Sequence, residues 1–265
     1  MTVCKCLLRQ RILNCLRRHT SKSMSNPRKL SDPDRIKKVL AFISDSLADY
    51  MAARTLLLSD LPKQAAILSS TAIEKACKAV LAFHGNSSHG HLQKAHWNAV
   101  KAFDPRLFGS FDTEFLSLNR KAYALRYTED LPHGFNLVVA TREFLAALDE
   151  TLMNFHRSFR VGDAPHQKSL IQHHLDDGDT RLLLENHIAA GVTKESFVLS
   201  RPQLVYEVRS RQPRGLLEVL YVSTEPAKRP GYMREACRVV DAAKEIYEFS
   251  HQPLGAVNVS GVEHG

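Results

Sequence analysis

From about residue 31 to residue 160, apolar positions recur every three or four residues, the period of a helix face. Asp32-Pro33 places a capping side chain before a proline in the first turn. Ile36, Leu40, Ile43, Leu47 and Met51 then follow along one stripe, and the pattern stops at Ser59-Asp60. Pro62 opens a second helix whose apolar face is Ala65, Leu68, Ala72, Ile73, Ala76, Cys77, Val80 and Leu81, and Gly85 ends it. After a polar loop at 86–90, a shorter helix is predicted over about 91–103, with Leu92 and Trp97 turned inward. Another is predicted over about 112–127, carrying Phe115, Leu116, Leu118 and Tyr123. Asn136 reads as the cap of a fifth helix running to about residue 160, with Leu137, Phe144, Leu148 and Leu152 on one side. Five helices on short connections predict an antiparallel bundle.

Beyond residue 160 the pattern changes. Residues 161–180 are polar and include Gly162, Pro165, Gly178 and Asp176-Asp177, which predicts a linker. Three β-rich runs follow at about 196–199, 204–209 and 216–223, divided by Arg201-Pro202 and Pro213-Arg214-Gly215. A last amphipathic helix is predicted over about 233–249, and a frayed tail from residue 253. The expected fold class is mainly α: a helical bundle over 31–160, a linker over 161–180, then a small α+β region over 181–252. No internal repeat is present.

Charge sharpens this division. The chain has 265 residues and a formal net charge of +8. Residues 1–30 hold eight basic side chains and no Asp or Glu, so the 28 basic and 28 acidic residues that remain leave the body neutral. Bulk charge therefore gives no support to nucleic-acid binding by the folded part. Within residues 1–23, Cys4, Leu8, Ile12 and Leu16 recur every four residues. Three readings of this leader compete: an organelle transit peptide, a basic arm for nucleic acid or membrane, and an over-extended start with translation beginning at Met24. The last is the plainest.

Five cysteines, three of them in the leader, do not make a disulfide framework. Cys77 and Cys237 fall in helical apolar patterns and read as buried free thiols of a reducing compartment, which predicts a cytoplasmic protein. No apolar run approaches the roughly 20 residues of a membrane span. There is no glycine-rich phosphate loop, G-x-S-x-G elbow or H-E-x-x-H motif. His84, His89, His91 and His96 cluster in sequence, but their spacing matches no standard zinc set. His173-His174 beside Asp176-Asp177 is no stronger. Neither a metal nor a cofactor is expected.

Two segments carry a resemblance. Gln64 to Leu81 contains Ala72-Ile73-Glu74-Lys75-Ala76-Cys77-Lys78-Ala79, and Lys121 to Tyr127 ends in Arg126-Tyr127. An A-I-E-K-x-x-K-A core on the second helix, followed after a His-containing loop by a helix ending in Arg-Tyr, resembles the HEPN family of helical bundles over about residues 34–158. The resemblance implies a bundle of four or five helices that dimerises. It also implies RNA or a nucleotide as ligand, and metal-independent endoribonuclease activity in toxin–antitoxin or defence systems, with an antitoxin or nucleotidyltransferase as partner. Ribonucleases of the family carry R-x4–6-H; here six residues separate Arg126 from His133. Tyr127 stands where active members have a polar residue, and Pro132 precedes His133 in a loop.

A histidine moves protons near neutral pH, and an arginine fork holds phosphate oxygens while negative charge builds. This makes Arg126 and His133 the candidate catalytic pair, with Glu74 orienting one of them as the resemblance suggests. Lys75, Lys78 and Tyr127 are the candidate RNA- or nucleotide-binding residues. Each also has a structural reading: Arg126 as a partner of Glu74 or of helix-end carbonyls, Glu74 as the i,i+4 partner of Lys78, and His133 as an ordinary loop histidine. A non-catalytic HEPN dimerisation or nucleotide-binding module is the alternative to the enzyme.

Overall fold

The computed structural model describes residues 32–86, 90–161, 168–211, 215–225, 237–241 and 246–251. The leader, Met24, His89 and the tail from 253 lie outside them. The described chain is mainly helical with a small antiparallel sheet.

α1 (Asp32–Leu58) and α2 (Pro62–Phe83) form the most extensive helix pair of the fold. They are joined by a tight turn in which Asp60 takes φ 58°, a left-handed conformation that a short polar side chain tolerates. Ala65, Ala72, Ala76 and Ala79 are buried, and their small side chains let α1 approach closely. α3 (Lys94–Phe103), α4 (Pro105–Gly109) and α5 (Thr113–Ala122) follow, and α5 runs on into a 3-10 turn at Tyr123–Arg126. Asp104 and Asp112 cap α4 and α5 by accepting backbone N–H bonds. Phe115 and Leu118 of α5 meet Phe144, Leu148 and Leu152 of α6 (Thr141–Ser158) in the core.

The fifth predicted helix starts late. Asn136–Ala140 is a strand, β1, and α6 begins only at Thr141. The physical reason is burial on two sides. Leu137 and Val139 face the helical core, whereas Val138 and Ala140 join Val205 in a second, smaller cluster. Four consecutive apolar residues suit a strand covered on both faces better than one stripe of a helix.

Residues 161–180, expected to link two parts, are folded where they are described. β2 (Arg160–Val161) pairs with β3 (Lys168–Ser169), and α7 (Leu170–Asp176) and α8 (Thr180–Leu183) follow. Ile171 and Leu182 are fully buried in the main core. The run at 196–199, expected as a strand, belongs to α9 (Lys194–Leu199). There the Thr193 hydroxyl accepts from the Ser196 N–H, and this cap outweighs the β-branched content.

The two later runs are strands as predicted: β4 (Gln203–Arg211) and β5 (Gly215–Ser223) form a hairpin, and the sheet order is β1-β4-β5, all antiparallel. In the range predicted as the last helix, the described residues are strand. β6 (Cys237–Asp241) and β7 (Ile246–Phe249) pair antiparallel, with an irregularity between Val239 and Asp241. Val239, Val240, Ile246 and Tyr247 favour a strand at the level of residue type. Cys237 is therefore on a strand, while Cys77 is buried in α2 as expected, its thiol pushed up to about 12 by burial.

One hydrophobic core extends from Val39 through α6 to Phe197, Tyr206 and Val208, so the C-terminal elements close the same core as the bundle. Among the described residues, no helix is long and apolar enough to cross a membrane.

Candidate functional site

Glu74 lies near the middle of α2 with its carboxylate almost enclosed. One oxygen, Oε1, accepts from Lys78 Nζ at 2.6 Å, one turn along the helix. The other, Oε2, accepts from the Leu92 N–H at 3.1 Å and faces His91 Nδ1 at 3.6 Å. Lys78 Nζ also donates to the Gly90 carbonyl at 2.7 Å, so one carboxylate and one ammonium together hold the loop that carries His91. Burial of Leu92 and Trp97 anchors the other side of this loop. His96, kept below its ordinary pKa by burial and then by Lys78, accepts the Gln93 N–H through Nδ1 and starts α3.

The loop brings His91 against the end of α5. Its ring stacks on Tyr123 with centroids 4.0 Å apart, and Nε2 lies 2.6 Å from the Tyr123 hydroxyl. With Nδ1 turned to a carboxylate, the ring proton is assigned to Nδ1, and Nε2 accepts from Tyr123. The Arg126 guanidinium sits 4.6 Å from the centre of the Tyr123 ring, with Nη1 3.5 Å from its hydroxyl. Glu74, His91, Tyr123 and Arg126 thus form a continuous series from the interior to the surface. His91 and Arg126 are exposed and Tyr123 half-buried.

The residues predicted from sequence divide around this series. Arg126 and Glu74 belong to it, joined through His91 and Tyr123 and not by a direct bond. Lys78 supports it. Tyr127, 54% exposed, follows Arg126 at the surface. Lys75 points elsewhere: its ammonium pairs with Asp49 of α1 at 2.8 Å. His133 is exposed in the turn before Gly134, and no hydrogen bond or ion pair connects it to Arg126. Through Tyr123 the structure connects His91 to the arginine. The sequence signal for this is only its position: a loop histidine between α2 and α3. That α5 ends opposite that loop is a tertiary fact.

The histidines grouped in sequence disperse. His84 stacks on Phe103, His91 on Tyr123, and His96 caps α3. His174 pairs with Asp179, while Asp176 pairs with Lys168. Among the described residues no three His, Cys, Asp or Glu side chains gather into a group able to hold a metal ion.

A second polar cluster was not foreseen. Arg54, 0% exposed, donates to Asp149 Oδ1, to the Arg181 carbonyl at 2.9 Å and to the Leu184 carbonyl. The Tyr50 hydroxyl donates to the same Asp149 oxygen at 2.7 Å, and Tyr50 is buried so fully that its hydroxyl is held well above its ordinary pKa. Nearby, Ser46 donates to the Ala72 carbonyl at 2.9 Å and lies 3.2 Å from His156 Nε2. The available signal was a polar row, Ser46, Tyr50 and Arg54, repeating every four residues along the buried side of α1.

Compared with protein-family models, with curated proteins and with solved structures, the chain matches none.

Proposed function

We propose that this protein is a HEPN-like bundle that binds RNA or a nucleotide at Glu74, His91, Tyr123 and Arg126 and cleaves RNA there without a metal ion. The observation that carries this reading is the exposed arginine fork linked, through a tyrosine and a histidine, to a buried carboxylate. In such a site Glu74 orients the imidazole, and Arg126 holds the non-bridging oxygens of one phosphate. Incoming RNA displaces the Tyr123 hydroxyl from His91. Nε2 takes the ribose 2′-OH proton as the 2′ oxygen bonds to phosphorus. The bond from phosphorus to the 5′ oxygen breaks, and the leaving oxygen takes the Tyr123 proton. His91 then returns its proton to the phenolate, which Arg126 stabilises meanwhile. The products are a 2′,3′-cyclic phosphate and a 5′-hydroxyl end. Tyr127 offers a ring on which a base can stack. A toxin–antitoxin or defence role in the cytoplasm, with an antitoxin or nucleotidyltransferase partner, and a homodimer belong to the same proposal.

One observation favours the non-catalytic module instead: the imidazole nitrogen needed as base is already bonded to Tyr123. Incubation of the purified chain with total RNA, with and without EDTA, separates the two. Cleavage that survives EDTA, is lost in His91→Ala and Arg126→Ala, and persists in His133→Ala supports the enzyme. Intact RNA that nonetheless shifts in a gel, with the shift lost in Arg126→Ala, supports the module. RNA neither cut nor bound overturns both.

A further inference from the structure

Arg126 has a companion. Arg120, six residues earlier near the end of α5, is also exposed. Its guanidinium lies 6.0 Å from the centre of the Trp97 ring, as that of Arg126 lies 4.6 Å from the centre of the Tyr123 ring. Each fork is therefore braced on an aromatic ring while most of its donors remain unused. Among the described residues no carboxylate pairs with either arginine. Lys121, Lys78 and Lys75 are, by contrast, already in use. Lys121 donates to Asn136 at 3.1 Å and lies over the Phe135 ring, Lys78 is held by Glu74 and the Gly90 carbonyl, and Lys75 by Asp49.

The two rings belong to one support. Tyr123 stacks on His91 in the loop before α3, and Trp97 is in α3 itself, buried like Leu92 at the end of that loop. Both arginines thus lie on the flank where α5 and its 3-10 extension pack against residues 91–97. Arg120 is three residues before Tyr123 at the end of α5, and Arg126 is three residues after it in the 3-10 turn. At about 1.5 Å and 2.0 Å per residue, their backbones are about 10 Å apart along the axis. With each fork held on its own ring, the pair suits two phosphates of one strand and not the oxygens of a single one. Charge also gives a direction. Beyond Tyr127 the chain exposes Glu129 and Asp130, which repel a strand leaving that way, whereas Arg120 attracts one that leaves along α5.

We propose that Arg120 is a second phosphate-binding residue, so that the ligand is a single RNA strand and not a free mononucleotide. Arg126 takes one phosphate, and Arg120 takes another further along the same strand. This rests on the reading of the Arg126 cluster as an RNA site, whether or not that site cuts. Arg120 touches no reacting atom; its role is to hold the strand in line. A body without net charge then needs no basic face, because two fixed forks hold the strand locally.

Fluorescence anisotropy on the full chain tests this. The probe is a mixed-sequence 2′-O-methyl RNA octamer, which has no 2′-OH nucleophile and stays intact, and the competitor is an equimolar mixture of nucleoside 3′-monophosphates. Arg120→Ala is expected to weaken octamer binding about 10-fold. It is also expected to lower the slope of log affinity against log salt by about 0.7, the value of one single-strand phosphate contact, and to shift the competitor by less than about twofold. Arg120→Lys is expected to restore the slope. Circular dichroism matching the wild type verifies that each variant is folded. Equal weakening of octamer and competitor, or an unchanged slope, overturns the second phosphate site and leaves the Arg126 reading standing. Octamer binding that Arg126→Ala does not weaken overturns the Arg126 reading and this inference with it, as does a wild type that binds no octamer.

Discussion

Arg54 and Arg126 each stand at the centre of a polar cluster, and their surroundings differ at every point. Arg54 is sealed inside the bundle, and its donors are used by one carboxylate and two backbone carbonyls from the α8 region. Arg126 is exposed and rests on one tyrosine ring, with most of its donors turned to solvent. The lesson is that residue type does not assign a role. A buried guanidinium with satisfied partners holds segments together. An exposed one, fixed in place but not used up, is available to an anion.

The largest expected effect comes from opening the sealed cluster. Arg54→Ala leaves Asp149 buried without its counter-charge and strands two carbonyls, and the expected loss is about 3–5 kcal/mol in denaturant unfolding. Arg54→Met with Asp149→Leu, which removes both charges, is expected to recover most of it. A loss below about 1 kcal/mol for Arg54→Ala rejects the idea that this arginine clamps α8 to α1.

The sealed clusters also predict the pH dependence. The hydrogen bond that Ser46 donates to Ala72 leaves His156 Nε2 as donor to Ser46, and Nδ1 has no partner among the described residues. Burial pulls the His156 pKa down to about 3. Its folded pKa is thus below the ordinary 6.5, so the unfolded chain binds more protons between those values. The His156 contribution is complete above about pH 6.5 and is lost as pH falls toward 3, at roughly 1.4 kcal/mol per pH unit. His156→Gln is expected to flatten that acid limb in urea titrations taken across the window. An unchanged slope counts against a neutral buried imidazole.

Glu207 of β4 acts with the opposite sign. Burial raises it to about 7, although it accepts from the Tyr221 hydroxyl and from the Ser250 N–H at 3.0 Å. A carboxyl raised above its ordinary 4.5 favours the folded state when protonated, so its contribution falls as pH rises from about 4.5 to 7. Glu207→Gln keeps an acceptor and removes the buried charge. The expected result is a melting temperature several degrees higher than wild type at pH 8 and little different at pH 4.5, read by calorimetry.

The helices were legible where one stripe of residues faces one core. α1, α2 and α5 follow their apolar periods, and Pro62 in the first turn of α2 and the Asp112 cap of α5 mark where those two begin. Legibility failed where burial came from two directions or from a distant segment. Leu137-Val138-Val139-Ala140 looks like the opening of a helix until β4 arrives from residues 203–211 to cover it. The stretch after residue 160 looks like a linker because Ile171 and Leu182, the hydrophobic residues of α7 and α8 that are fully buried, stand among many polar neighbours. The same limit applies to the candidate site. Arg126 and Glu74 stand out in the sequence, but their connection runs through His91 and Tyr123, 32 residues apart, and only the packing of α2, α3 and α5 brings those two together.

The smallest stability effect is the one that separates the two arginines most clearly. Arg126→Ala removes a guanidinium whose neighbours all remain solvated or otherwise paired: Tyr123 keeps its contact with His91, and Glu74 keeps Lys78 and the Leu92 N–H. No buried group is left unsatisfied, so the expected change in unfolding free energy is within about 0.5 kcal/mol. If the proposed chemistry is right, RNA cleavage by the same variant falls about 100-fold or more, because the charge that builds on the phosphate in the transition state loses the guanidinium that holds it. Stability and activity are then uncoupled at Arg126 and coupled at Arg54, where unfolding removes any activity along with the fold. A destabilisation of 2 kcal/mol or more at Arg126 would mean that the exposed arginine carries structure after all, and the contrast between the two clusters would collapse.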